Sequence, residues 1–162
     1  MKLILSDVRD LPIKSDDKYH VIYNDGNLHY CIGCFGCWIK TPGQCVIKDG
    51  YSNMGQLLSR CDELILVSKC TYGGFSPFIK NLLDRSISYI SPYFVTRNGE
   101  MHHKRRYDNV ISISAYFYGE DISQSEKETA KSLVSANAVN YDGKVKNVLF
   151  FSTAEEVKAV LI

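Results

Sequence analysis

The chain has 162 residues, a formal net charge of +1, and 45% hydrophobic against 23% charged residues, the balance of one ordinary globular domain spanning 1–162. Lys and Arg hardly outnumber Asp and Glu, 19 against 18, which excludes nucleic acid as a principal partner because holding a polyanion takes a basic surplus on one face. No apolar run approaches the ~20 residues of a membrane-spanning helix, and residues 1–6 turn polar at Asp7 before a signal-peptide core forms, so the expected location is the cytoplasm, with no membrane contact.

The first strand is expected at residues 2–6. The stretch that follows, from Asp7 to Tyr19, carries Pro12 in its middle and shows no amphipathic period, so the helix that should cross to the next strand is expected to be shortened or missing. About a dozen residues can just join two parallel strands without one. A second strand is expected at 20–23. Behind Asp49, a plausible cap, Tyr51, Met54, Leu57, Leu58 and Cys61 recur at helical spacing. A third strand is expected at 63–67. The strongest helix follows, with Ser76 as N-cap, Pro77 at its first position, and Ile79, Leu82, Leu83, Ile87 and Ile90 along one face. Residues 97–107 are dense in charge and read as a solvated loop, in which the adjacent His102 and His103 point apart. Two more strands are expected at 109–114 and 146–151. Ser123 with Glu126, and Ser152 with Glu155, have the capping-box form that opens a helix. Strands alternating with helices predict a doubly wound, five-stranded parallel sheet covered on both faces. Ligands of such sheets bind beyond the carboxyl ends of the strands, where the strand order reverses.

Three features could carry chemistry. The densest is Cys31-Ile32-Gly33-Cys34-Phe35-Gly36-Cys37-Trp38, completed by Cys45. In a reducing compartment these are thiols or ligands rather than disulfides. Two-residue gaps let one tight loop aim successive sulfurs at one point, as an iron–sulfur cluster requires, and Gly33 and Gly36 permit the turns. Structural zinc more often draws on two separated cysteine pairs, and a compact loop of small side chains remains the alternative. Cys61 and Cys70 read as core thiols. The second feature, Cys70-Thr71-Tyr72-Gly73-Gly74-Phe75-Ser76-Pro77, joins a strand end to the strongest helix. Its glycines would let the backbone lie against a flat, conjugated cofactor that Tyr72 or Phe75 could cover, unless it is simply a strand-to-helix turn. Tyr116, Phe117 and Tyr118, expected on the loop after the next strand, would add aromatic surface to the same edge or belong to the core. Third, Lys80, Asp84 and Arg85 are expected to be structural, anchoring the loop above their helix. No Ser–His–Asp set or carboxylate pair emerges.

In combination these motifs resemble the flavodoxin-like NAD(P)H-dependent FMN reductases and iron–sulfur flavoproteins. The resemblance rests on the cysteine loop with Asp49, on Tyr72-Gly73-Gly74-Phe75-Ser76 with Lys80 and Asp84-Arg85, and on residues 99–104 with Arg106-Tyr107. It implies a flavodoxin-like fold of strand order 2-1-3-4-5, FMN at the strand ends with Thr71, Tyr72, Gly73, Gly74 and Phe75 facing its ring, and Tyr116 nearby. It further implies electrons from NAD(P)H, a [4Fe–4S] cluster on Cys31, Cys34, Cys37 and Cys45, and association into a homodimer or homotetramer. One part departs from the family. A glycine-containing turn and a helix N-terminus normally grip the FMN phosphate, whereas here the place reads Ser6-Asp7-Val8-Arg9-Asp10-Leu11-Pro12. Arg9 alone keeps a favourable charge, and two aspartates would face a phosphate of nearly two negative charges. The expectation is a flavin-linked oxidoreductase whose FMN binding is weakened or altered. Its alternative is a non-enzymatic protein of the same fold, serving partner binding or cysteine-based metal or redox sensing.

Overall fold

The computed structural model describes residues 1–161. Five parallel strands, β1 (Lys2–Ser6), β2 (Tyr19–Tyr23), β3 (Glu63–Lys69), β6 (Ser112–Tyr118) and β7 (Lys144–Phe151), form one sheet in the order β2-β1-β3-β6-β7. Taken by themselves these five strands stand in the expected order 2-1-3-4-5, and the fold is flavodoxin-like. A two-stranded antiparallel ribbon, β4 (Ile90–Arg97) and β5 (Glu100–Arg105), is inserted between β3 and β6. The helices are α1 (Gly36–Ile39), α2 (Met54–Ser59), α3 (Pro77–Arg85), α4 (Gln124–Asn140) and α5 (Ala154–Val160). Among the described residues no helix is long and apolar enough to cross a membrane.

Alternation along the strands sends side chains to two cores. Leu3, Leu5, Leu64, Leu66, Ile113, Ala115 and Phe117 face one side, packed against Met54, Leu58, Ile79, Leu82, Val134 and Ala138 of α2, α3 and α4. Ile4, Ile65 and Val67 face the other, where Val157 and Leu161 share the cover with Val8 and Leu11 of the first crossover. The crossover between β1 and β2 is indeed without a helix. Pro12 and the lack of an amphipathic period leave buried Val8 and Leu11, with half-buried Ile13, to do what a helix face usually does, so this layer is thin.

Several expectations are corrected. Residues 97–107 are not a loop: Thr96, Met101, Val95 and His102 pair across the β4–β5 ribbon, which turns at Asn98-Gly99. Asn98 and Gly99 both take positive φ, 50° and 83°, and an Asn-Gly pair is the preferred chemistry for a two-residue hairpin. Crowded charge concealed the strand pattern. The strand expected at 109–114 starts later, at Ser112, and runs on through Tyr116, Phe117 and Tyr118, so these aromatics belong to the sheet. Ile87 lies in a 3-10 turn (Ser86–Tyr89) and Ile90 opens β4, both beyond the end of α3. Asn53, not Asp49, precedes α2. Ser76 occupies the N-cap of α3 without using its hydroxyl, while its N–H donates to Ser68 Oγ at 2.8 Å. The last helix is capped one residue later than expected, by Thr153, whose Oγ1 accepts from the Glu156 N–H at 3.3 Å.

The Ser123–Glu126 capping box of α4 forms in full: Ser123 Oγ accepts from the Glu126 N–H, and Glu126 accepts from the Ser123 N–H at 2.9 Å. Ser123→Ala removes one half of that exchange. It is expected to cost about 1 kcal/mol, read as a lower urea midpoint with an unchanged slope.

Candidate functional site

The cysteine loop sits on the carboxyl end of α3. Gly33 and Phe35 both take left-handed backbone, φ 63° and 53°, wrapping the chain tightly enough to present Cys31, Cys34 and Cys37 from one short stretch. Only at Gly33 does this conformation come free of a Cβ penalty. Gly36 is needed for space: a Cβ there would lie 2.6 Å from Val46 Cγ1. Phe35 stacks on Trp38 (centroids 5.3 Å), and Trp38 packs in turn against His103 of β5 at a tilt of 47° (4.8 Å). The indole N–H of Trp38 donates to the carbonyls of Ile87 and Ile90 at 3.1 and 3.0 Å, tying the loop to the 3-10 turn.

All four cysteines line one small cavity, with Ile32, Phe35, Ile47, Ile87 and Arg85 completing its wall. Burial pushes the Cys37 thiol up, and neighbouring Cys45 adds to the rise. Among the described residues no three His, Cys, Asp or Glu side chains are gathered as a site for a single metal ion. The four sulfurs border a shared space, and soft thiolates are the donors that iron–sulfur and other thiophilic centres take.

Arg85 organises this wall. Its side chain is 0% exposed and makes five hydrogen bonds: Nε to Cys45 Sγ at 3.2 Å, Nη1 to His29 O and Asp49 Oδ2 at 2.7 and 2.9 Å, and Nη2 to Asp49 Oδ1 and Ile47 O at 2.8 and 3.4 Å. Asp49, 4% exposed, also accepts from the Tyr51 and His29 amides at 3.0 and 3.2 Å. Burial alone would raise the Asp49 pKa. The Arg85 guanidinium and the two amides outweigh it and hold the carboxyl well below the usual carboxylate range. A carboxyl with a depressed folded pKa stabilises the fold fully above its unfolded pKa of about 3.9 and loses that contribution as pH falls toward the folded value. Stability is therefore expected to stay level from about pH 7 to 5 on this account and to fall below about pH 4, with a shallower fall in Asp49→Asn, measured by denaturant titration at each pH.

Arg85 thus anchors the loop above its helix as expected, and Lys80 pairs with Asp84 on the helix surface. Asp49 has a role that local spacing did not show, because its partner lies 36 residues away. Cys61 is buried as expected, whereas Cys70 is half-buried at the end of β3. His103 lies between Trp38 and Phe94, each 4.8 Å away, while His102 faces Glu100 at 3.3 Å.

At the strand ends, the Thr71 and Gly74 main chains exchange hydrogen bonds of 2.9 and 2.8 Å around a tight turn. Tyr72 and Gly73 take positive φ in it, 52° and 76°, and the Tyr72 ring is 91% exposed. Gly73 abuts α4, since a Cβ there would meet Thr129 Cβ at 2.8 Å. Phe75 does not face outward as expected. It is buried and stacks on Phe117 at 5.1 Å. Tyr116 lies within β6, stacked on Phe151 at 6.2 Å. Arg9 turns to the edge of the sheet, donating to Asn24 O at 2.9 Å and lining a cleft of about 600 Å³ with Tyr23 and Asp25.

Asp7, directly after β1, bridges the point where the strand order reverses. Its Oδ2 accepts from the Lys69 N–H at 2.8 Å, its Oδ1 from the Tyr118 hydroxyl at 3.0 Å, and its own N–H donates to Val67 O at 3.2 Å. Burial and the adjoining Asp7 charge push the Tyr118 pKa up, keeping its proton as donor. Sequence reasoning placed Asp7 near this edge but offered no sign of these partners, 62 and 111 residues distant.

No family model matches the chain. In sequence it is similar to an iron–sulfur flavoprotein of Archaeoglobus fulgidus, 30% identical over 73 residues, 45% of this chain and 31% of that one. It is also similar to an iron–sulfur flavoprotein of Methanocaldococcus jannaschii, 39% identical over 62 residues, 38% of this chain and 31% of that one. The matches thus span under a third of each relative. In structure it resembles an azoreductase from Bacillus anthracis, with a TM-score of 0.57 at 10% identity over 99% of this chain and 94% of that one. A Trp repressor binding protein from Bacillus subtilis superposes with a TM-score of 0.54 at 14% identity, covering 94% and 86%.

Proposed function

From a chain of flavodoxin-like fold, related over part of its length to iron–sulfur flavoproteins, we propose a flavin-linked oxidoreductase in which Cys31, Cys34, Cys37 and Cys45 hold a [4Fe–4S] cluster and FMN is bound weakly. The observation that carries this reading is the single cavity bordered by all four cysteines, with the Arg85 N–H on Cys45 Sγ. The donor set fits the cluster: four thiolates supply its ligands, and N–H groups directed at sulfur tune its potential. When bound, cluster and flavin supply the one- and two-electron chemistry, and NAD(P)H is the proposed donor.

The chain's own residues position and insulate. Arg85 fixes Cys45 and offsets negative charge gathered at the sulfurs. Phe35, Ile47 and Ile87 give the cavity apolar walls, and no side chain is required as acid or base. On the flavin side, the exposed Tyr72 ring and the Thr71–Gly74 turn suit one face of a flat heterocycle. The phosphate end does not fit: no glycine turn or helix N-terminus follows β1, and the Lys69 and Tyr118 donors at the strand ends are already taken by Asp7. This misfit also favours a second reading, cysteine-based metal or redox sensing without flavin chemistry.

Anaerobic reconstitution with ferrous iron and sulfide tests the cluster. About four irons and about four sulfides per chain are expected; less than about one iron per chain after desalting would refute it.

A further inference from the structure

We propose that Asp7 decides which flavin this protein accepts: its carboxylate is an anion supplied by the chain itself at the switch point, so that a flavin lacking a phosphate, of the riboflavin kind, is preferred to FMN. The inference rests on the flavin reading above. A main-chain N–H and a hydroxyl converge on one spot at the ends of β3 and β6, as donors do around a bound phosphate oxygen. Here both are satisfied by Asp7, whose backbone is held by Val67 O.

A phosphate would have to displace this carboxylate and then lie beside its charge. Little in the crossover offsets that repulsion. Arg9 is committed to Asn24 O, Asp10 adds a second negative charge in the same crossover, and no helix dipole opens there. A ribityl chain ending in a hydroxyl carries no charge. It can pass the same edge and donate to the carboxylate.

The test is titration of riboflavin and of FMN, followed by flavin fluorescence, into the anaerobic 162-residue chain and its Asp7→Asn and Tyr118→Phe variants, with Asp7→Ser in reserve should the Asn protein not fold. In the wild type FMN is expected to bind no tighter than riboflavin. Asp7→Asn is expected to raise FMN affinity relative to riboflavin by about tenfold or more, while Tyr118→Phe, which keeps the carboxylate, retains the wild-type ratio. Wild-type protein that binds FMN about tenfold tighter than riboflavin, or a ratio that Asp7→Asn leaves unchanged, overturns the inference and leaves the flavin reading standing. Absence of binding by either flavin to every protein removes both.

Discussion

Arg85→Met is expected to destabilise the protein by about 3–5 kcal/mol, the range for removing one partner of a buried ion pair. The size follows from what remains. Asp49, 4% exposed, would keep its charge with the Tyr51 and His29 amides and the His29 imidazole, 3.4 Å away, in place of a guanidinium, and the His29 and Ile47 carbonyls would lose their guanidinium donors. Methionine fills much of the volume but returns none of these hydrogen bonds. The double variant Arg85→Met with Asp49→Leu removes both charges and should recover part of the loss, because the larger cost lies in the orphaned carboxylate. Urea denaturation of the wild type, Arg85→Met, Asp49→Leu and the double variant gives the coupling directly. Arg85→Met alone costing under about 1 kcal/mol would mean that the pair is solvated rather than sealed.

Cys45→Ser is expected to lower the iron retained after anaerobic reconstitution by about tenfold or more, since losing even a hydrogen-bond partner of a ligand costs 10–100-fold in metal affinity and losing the ligand costs no less. Cys45 reaches the cavity from outside the loop that carries the other three, and Arg85 Nε holds its sulfur in place. Cys61→Ser provides the contrast. Its thiol is fully buried in the core and pushed up to about 11 by that burial, so its loss is read in stability and not in iron. Equal iron in Cys45→Ser and wild type would remove Cys45 from the ligand set.

Much of the architecture was legible because it is written in local patterns. The five short apolar runs mark the sheet, Pro12 marks the helix that never forms, and Ser123 with Glu126 marks the start of α4. The ribbon was hidden by its own exposure: Glu100, His102, Lys104 and Arg105 give a strand with little buried face to alternate. The sequence grouped Cys45 with the closely spaced Cys31, Cys34 and Cys37, and in the structure all four border one cavity. What escaped local reading depends on long-range contact. Asp49 meets Arg85 across 36 residues, and Asp7 meets Tyr118 across 111. Nor could periodicity tell whether Phe75 faces a ligand or Phe117, because a strand-to-helix turn leaves that choice to the packing of β6.

In the proposed function, the Thr71–Gly74 turn, the Asp7-filled switch point and the cysteine cavity would serve electron exchange between sulfur-bound iron and a loosely held flavin. The most direct measurement uses reconstituted protein reduced with dithionite, desalted anaerobically and mixed with oxidised riboflavin, with the visible spectrum followed in time. The account predicts that flavin absorbance falls as the oxidised cluster band returns, one flavin taking two electrons from two chains. A flavin that stays oxidised beside a cluster that stays reduced would contradict it.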